Sequence, residues 1–251
     1  MNILIIGNSF SQDAVHYLHR MAEAGGVEIN VTNLYYPGCS LAQHMEFILY
    51  NKPEYRREIN GLEGDKIISV PEAVKENSWD YVVTQQASYD SGFLGSYFPY
   101  LDFIADYVRQ TAPGAELILH ETWAYESDSM HGHFYKYENS QQIMYDKLSY
   151  AYREAARKIG ARLIPSGDMV QKLRGMKPFL YGHGGMSLCR DGFHMNLIYG
   201  RYLLSAIWYK FFTGKSVCEN PFVPYTYLAP NAVCDEKVLS VIKTFVDKTA
   251  F

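Results

Sequence analysis

No stretch of this sequence approaches the roughly 18 consecutive apolar residues that a membrane-spanning helix needs. Basic charge is also scarce. Lys and Arg number 23 against 27 Asp and Glu, a formal charge of −4. A mildly acidic chain lacks the electrostatic footprint of a nucleic-acid or anionic-membrane binder, so neither partner is expected. Cysteine is limited to Cys39, Cys189, Cys218 and Cys234. No two form a CxxC pair and no histidine stands at a zinc-finger spacing from them, so no metal is expected. Disulfide pairing cannot be read from such spacings, and free thiols in a reducing compartment are the simpler reading. There is no GxGxxG and no phosphate-loop lysine, which argues against dinucleotide and nucleoside-triphosphate cofactors. Internal repeats and low-complexity linkers are missing too. The N-terminus has no basic lead, and its apolar run, Ile3-Leu4-Ile5-Ile6, is four residues long. It reads as a buried first strand rather than a signal peptide, and the expected location is cytoplasmic.

What is present is globular. The 251 residues are 48% hydrophobic and 20% charged, values that suit one folded domain over residues 1–251. The unusual number is 15% aromatic, with 22 tyrosines. A tyrosine excess fits a wet binding cleft, and equally an ordinary half-exposed surface.

Short apolar runs alternate with segments of helical period. Ile3–Ile6 precedes a helix marked by Val15, Leu18 and Ala22 and stopped by Gly25-Gly26. Val27, Ile29 and Val31 alternate as a strand, broken at Pro37-Gly38. Ser40 with Gln43 forms a capping-box pattern, and Ser69, Pro71 and Glu72 mark another helix start. Tyr81–Val83, Leu117–Leu119 and Arg162–Ile164 read as further strands. Helices are expected over Leu101–Val108, Asn139–Lys158, Leu197–Phe212 and Glu236–Lys248. Gly61–Ile68 is an excursion without a clear assignment. Alternating strands and helices imply a three-layer α/β/α fold: a flavodoxin-like parallel sheet of about five strands with helices on both faces. Thr122–Glu138 has no periodicity and follows a strand, where such folds place functional loops.

Ligands of open parallel sheets bind beyond the carboxyl ends of the strands. After the first strand stands Gly7-Asn8-Ser9-Phe10-Ser11. Ser9 there is either a helix N-cap or a nucleophile on a turn whose helix N-terminus favours developing negative charge. After the second strand comes Gly38, a turn glycine whose N–H could also meet an oxyanion. After the third comes Thr84-Gln85-Gln86-Ala87-Ser88, whose amides could donate to an oxyanion or tie down a loop. Near the other end, Asp191-Gly192-Phe193-His194 could set a carboxylate against one ring nitrogen and free the other as a base.

Lined up, these pieces resemble the SGNH (GDSL-type) serine hydrolases from residue 3 to about residue 213, with the block order preserved. Gly7–Ser11 matches the first block, Gly38 the second and Asp191–His194 the fifth. The third block departs from the usual Gly-x-Asn-Asp and is similar to a less characterised branch with glutamine there. Met195 stands where the family often has proline.

The resemblance implies a serine esterase without a cofactor, and puts each residue in a role. Ser9 would be the nucleophile, His194 its base, and Asp191 the group that fixes the imidazole. The backbone N–H groups of Ser9 and Gly38, with the amide of Gln85 (or Gln86), would form the oxyanion hole. Small acyl esters, acetyl above all, perhaps carried on a carbohydrate, are the implied substrates. An imidazole base works only when neutral, so activity should fall below about pH 6–7. Gln86, Trp123 and His183 are candidate substrate contacts, though Trp123 could equally be core and His183 a solvated loop residue. The alternative function is a non-catalytic carbohydrate- or small-ligand-binding module on the same fold, favoured by the altered third block. The oligomeric state is left open.

Overall fold

In the computed structural model, which describes residues 1–225 and 233–250, strands and helices alternate through most of the chain. The strands are β1 (Asn2–Gly7), β2 (Asn30–Tyr35), β3 (Tyr55–Ile59), β4 (Leu62–Ile68), β5 (Tyr81–Thr84), β6 (Glu116–His120) and β7 (Arg162–Ile164). The helices are α1 (Ser9–Val15), α2 (Leu18–Ala24), α3 (Leu41–Leu49), α4 (Val70–Lys75) and α5 (Tyr100–Thr111), followed by α6 (Gln141–Ile159), α7 (Ser166–Arg174), α8 (Tyr199–Thr213) and α9 (Glu236–Lys248).

All the strands join one mixed sheet in the order β4-β3-β2-β1-β5-β6-β7. The five from β2 to β7 are parallel and make the expected flavodoxin-like core. Ile3–Ile6 sits at its centre, fully buried, because a parallel strand covered on both faces is apolar throughout. Helices α1, α2, α8 and α9 pack together on one face, and α3 to α6 on the other. The chain leaves β1 to one side for β2 and later crosses back for β5, so β1 and β5 flank the point where strand order reverses. Ligand crevices form there.

Two features depart from the sequence reading. The Gly61–Ile68 excursion belongs to a hairpin, β3–β4, that extends the sheet antiparallel to β2. Its turn is Asn60-Gly61 with φ of 54° and 78°, the type I′ geometry that this dipeptide favours. The first helical segment is split into α1 and α2. Ser205 of α8 inserts between them, donating to Ala14 O (3.0 Å) and accepting from Tyr17 N–H (3.2 Å), which interrupts the helical ladder. Part of the tyrosine excess is core. Tyr17 and Tyr97 are fully buried, with hydroxyls donating to Leu197 O and Ser91 O at 2.7 Å.

Candidate active site

The turn after β1 carries the site. Asn8, not Ser9, caps α1: its Oδ1 accepts from Phe10 N–H (3.0 Å), and Ser11 completes a capping box. Ser9 is therefore released from capping and stands half-buried in the first helical turn. Its Oγ lies 2.9 Å from His194 Nε2. His194 Nδ1 lies 2.7 Å from Asp191 Oδ2. An ionised carboxylate only accepts, so Nδ1 carries the proton and Nε2 is left to accept from the Ser9 hydroxyl.

The loop that brings His194 here is short and closed. Asp191 Oδ1 accepts from the backbone N–H of His194 (2.7 Å) and Phe193 (3.2 Å). Burial would raise the Asp191 carboxyl, but the hydrogen bonds from the His194 ring and these two amides outweigh it and hold the group below its ordinary value. Gly192 has φ +85° and its O accepts from Glu126 N–H at 2.7 Å. A Cβ there would meet Ser129 Cα at 2.9 Å, so the tight turn requires glycine.

Thr122–Glu138, left unassigned by periodicity, packs against this loop. His131 lies edge-on to Phe193 (ring centroids 4.7 Å apart), and Phe193 lies 4.1 Å from His194. His133 lies 5.0 Å from Tyr89, whose hydroxyl donates to Gly38 O (3.2 Å). The result is a ring-lined shelf between the Gly38 turn and His194. Burial, then the charges of His133 and His194, push His131 below its ordinary value and favour a neutral ring. Gly38 itself is exposed with φ +61°, a left-handed position that suits glycine. Among the described residues, neither its N–H nor that of Ser9 has a hydrogen-bond partner.

The structure takes Gln85 and Gln86 out of the oxyanion and substrate roles, and for Trp123 and His183 it meets the other reading the sequence offered, core and solvated loop. Gln85 is completely buried. Its Nε2 donates to Asn8 Oδ1 (2.9 Å) and its Oε1 pairs with His120 Nδ1 (3.0 Å). His120, at the end of β6, is pushed down to about 3 by burial and is neutral. Its Nδ1–H donates to Gln85, so its Nε2 accepts from the Ser166 hydroxyl (3.1 Å). A group with no exposed surface cannot meet a substrate oxygen in this geometry. Gln85 therefore supports Asn8, which in turn donates through Nδ2 to Cys39 O (3.0 Å) and fixes the turn carrying Gly38. Gln86 is equally occupied. Its Oε1 accepts from the N–H of Leu41 (3.0 Å), in the first turn of α3, and of Ala87 (2.8 Å), and its Nε2 donates to Ser96 O (2.8 Å). Trp123 is core: it is fully buried, stacks on Phe10 at 4.3 Å, and donates to Phe193 O (2.7 Å). It shapes the histidine loop from beneath. His183 is exposed on a short 3₁₀ turn, beside a cavity of about 280 Å³ lined also by Glu126, Arg174 and Tyr181. Among the described residues it makes no hydrogen bond or ring contact with Ser9, Asp191 or His194. No group of three or more His, Cys, Asp or Glu among them could hold a metal ion.

Sequence reasoning missed the roles of Asn8 and His120. The two lie on different strands' ends and meet through Gln85, and no local pattern announces such a meeting.

A parallel core with Ser9, the Gly38 turn and the Asp191–His194 loop gathered at its switch point has the SGNH-hydrolase fold. A protein of Slackia heliotrinireducens described as a putative SGNH hydrolase shares it, 21% identical over 84% of this chain and 97% of its own, TM-score 0.59. An acetyl xylan esterase shares it at 14% identity over 83% and 98%, TM-score 0.54. Within that fold the chain belongs to the family DUF4886, described as a domain of unknown function, whose model matches residues 2–236. A DUF4886 protein from Bacteroides uniformis is 32% identical over 98% of this chain and 93% of its own, TM-score 0.88. No curated protein matches in sequence.

Proposed function

We propose that this protein is a serine esterase that hydrolyses small acyl esters, acetyl among them, through an acyl-enzyme. The observation that carries the reading is the continuous hydrogen-bonded chain from Ser9 Oγ through both nitrogens of His194 to Asp191. His194 Nε2 takes the Ser9 proton as Oγ attacks the carbonyl carbon, whose π electrons pass to oxygen. The N–H groups of Ser9 and Gly38 hold that oxyanion, each such donor contributing about 3 kcal/mol. Asp191 stays ionised and stabilises the imidazolium. The tetrahedral adduct collapses, the ester C–O bond breaks, and the imidazolium proton goes to the departing alcohol. Water then attacks the acyl-serine with His194 as base, releasing the acid and restoring Ser9. A carbohydrate as the alcohol is supported by the shelf of Tyr89, His131, His133 and Phe193, whose flat faces suit the apolar faces of sugar rings.

A fluorophosphonate probe tests the reading. Folded protein should be labelled on the peptide containing Ser9, and Ser9→Ala or urea-unfolded protein should not. Folded wild type that stays unlabelled would leave the binding-module alternative in its place.

The buried position of Gln85 gives a second expected outcome. Gln85→Ala should cost about 1–3 kcal/mol of stability by stranding Asn8 and His120, read as a lower urea midpoint. Its kcat should fall by less than the roughly hundredfold to thousandfold that loss of a direct oxyanion donor brings. The reverse pattern, a large kcat loss at unchanged stability, would return Gln85 to the oxyanion hole.

A further inference from the structure

Helix α1 carries a second functional-looking group. Asp13 stands one turn beyond Ser9 on the same face and has no exposed surface. Its carboxylate is nonetheless fully engaged. Oδ1 accepts from Arg201 Nε (2.8 Å), both oxygens accept from Arg190 Nη1 (3.0 Å each), and Oδ2 accepts from Met195 N–H (2.8 Å). Arg201 belongs to α8. Arg190 and Met195 are the residues on either side of Asp191–His194. Arg190 Nη1 also donates to Met195 O, and Arg190 N–H donates to His194 O (2.9 Å), closing the loop on itself. Asp13 thus grips both ends of the histidine loop from the helix that bears the nucleophile.

Stability alone is a weak reason for such a cluster. Desolvating the Asp13 carboxylate and the Arg201 guanidinium costs much of what their attraction returns, and apolar residues often pack as well. Position is the better reason, because every partner from the loop lies within a few residues of His194. Met195 is part of it. Proline, frequent at this point in the proteins this chain resembles, has no N–H and could not make the bond to Asp13.

We propose that Asp13, with Arg190 and the Met195 N–H, is a positioning residue that sets the separation of Ser9 Oγ and His194 Nε2. The proposal rests on the serine-esterase reading. Displacement of a reacting pair by about 1 Å can cost about a hundredfold in rate, so loosening this grip should slow the chemistry while leaving substrate binding intact.

The test compares wild type, Asp13→Asn, Arg190→Gln and, as a control, Arg153→Gln, which removes a largely exposed arginine from its ion pair with Asp168. Each is assayed well below its own Tm for kcat and KM on p-nitrophenyl acetate and for the rate of fluorophosphonate labelling at Ser9. For Asp13→Asn and Arg190→Gln, kcat and labelling rate should fall about tenfold to a hundredfold with KM little changed. Arg153→Gln should match wild type in all three, although it too loses an ion pair. Should Asp13→Asn fail to fold, Arg190→Gln decides, since Asp13 then keeps Arg201 and the Met195 N–H. A folded Arg190→Gln with wild-type kcat and labelling rate overturns the proposal. Wild type that neither labels nor turns over defeats the esterase reading and this proposal together, and that failure is visible before any variant is made.

Discussion

Ser9→Ala and His194→Ala should each lower kcat/KM for p-nitrophenyl acetate by about a thousandfold or more, equivalent to about 4 kcal/mol of transition-state stabilisation. In the proposed mechanism Ser9, His194 and Asp191 act as one unit: Ser9 would supply the attacking oxygen, and His194 would take its proton through the 2.9 Å contact. Removing both should therefore cost little more than removing one. Asp191→Asn should cost less than either, because the ring remains and only its orientation and charge stabilisation suffer. Structure makes the experiment clean. Asn8 is the helix cap, so Ser9→Ala removes a hydroxyl without unravelling α1, and the Tm should hardly move. Folded variants that keep more than a tenth of wild-type activity would end the acyl-enzyme account, whatever the fold resembles.

The parts of the fold legible in the sequence are those encoded locally. Ile3–Ile6 announces a central strand by being apolar throughout, and the capping boxes at Ser40–Gln43 and Ser69–Glu72 stand where α3 and α4 begin. The β3–β4 hairpin was hidden because its strands are charged and half-exposed, with Arg56 and Glu63 paired across them. They lack the apolar alternation that marks a strand, and only Asn60-Gly61 carried a readable signal. The candidate site divides the same way. Ser9 and the Asp191–His194 loop were legible because each is a short motif whose groups meet by local geometry. Gln85 was misplaced because the direction of its amide is decided by Asn8, 77 residues away, and by His120, 35 residues away. Asp13 gave no signal at all. Its meaning comes from Arg190 and Arg201, which lie 177 and 188 residues further along the chain.

Acid should bring this protein close to unfolding before its exposed carboxylates are protonated. His16, His44 and His120 are buried, and burial pushes each down to about 3, with Arg201, Arg20 and Arg190 adding to the effect at His16. Unfolded, each takes up a proton below about pH 6.5. Between about pH 6.5 and 3 the unfolded chain thus binds more protons than the native one, and stability falls as pH falls. Glu121 works in the opposite sense. Burial, then the nearby Asp168 carboxylate, raises it to about 8, so the native state holds a proton there that the unfolded chain releases above about 4.5. Stability from that group grows as pH drops from 8 to 4.5. From pH 6.5 to 4.5 these three histidines oppose Glu121, while His131, lowered, and Glu58, raised by burial, add one contribution in each sense. The net difference is about two protons, or roughly 2–3 kcal/mol of lost stability per pH unit. Against a typical total of 5–15 kcal/mol, one to two pH units suffice to bring the protein close to its unfolding transition. Urea midpoints at pH 7, 6 and 5 should fall steeply, and an unchanged midpoint would show that the three rings are already charged in the native state. The same titration separates two causes of activity loss in acid. Protonation of the candidate base lowers the rate of folded protein, whereas charging of His120 undermines Gln85 and Asn8 and removes the folded protein itself. Circular dichroism recorded beside each rate tells them apart.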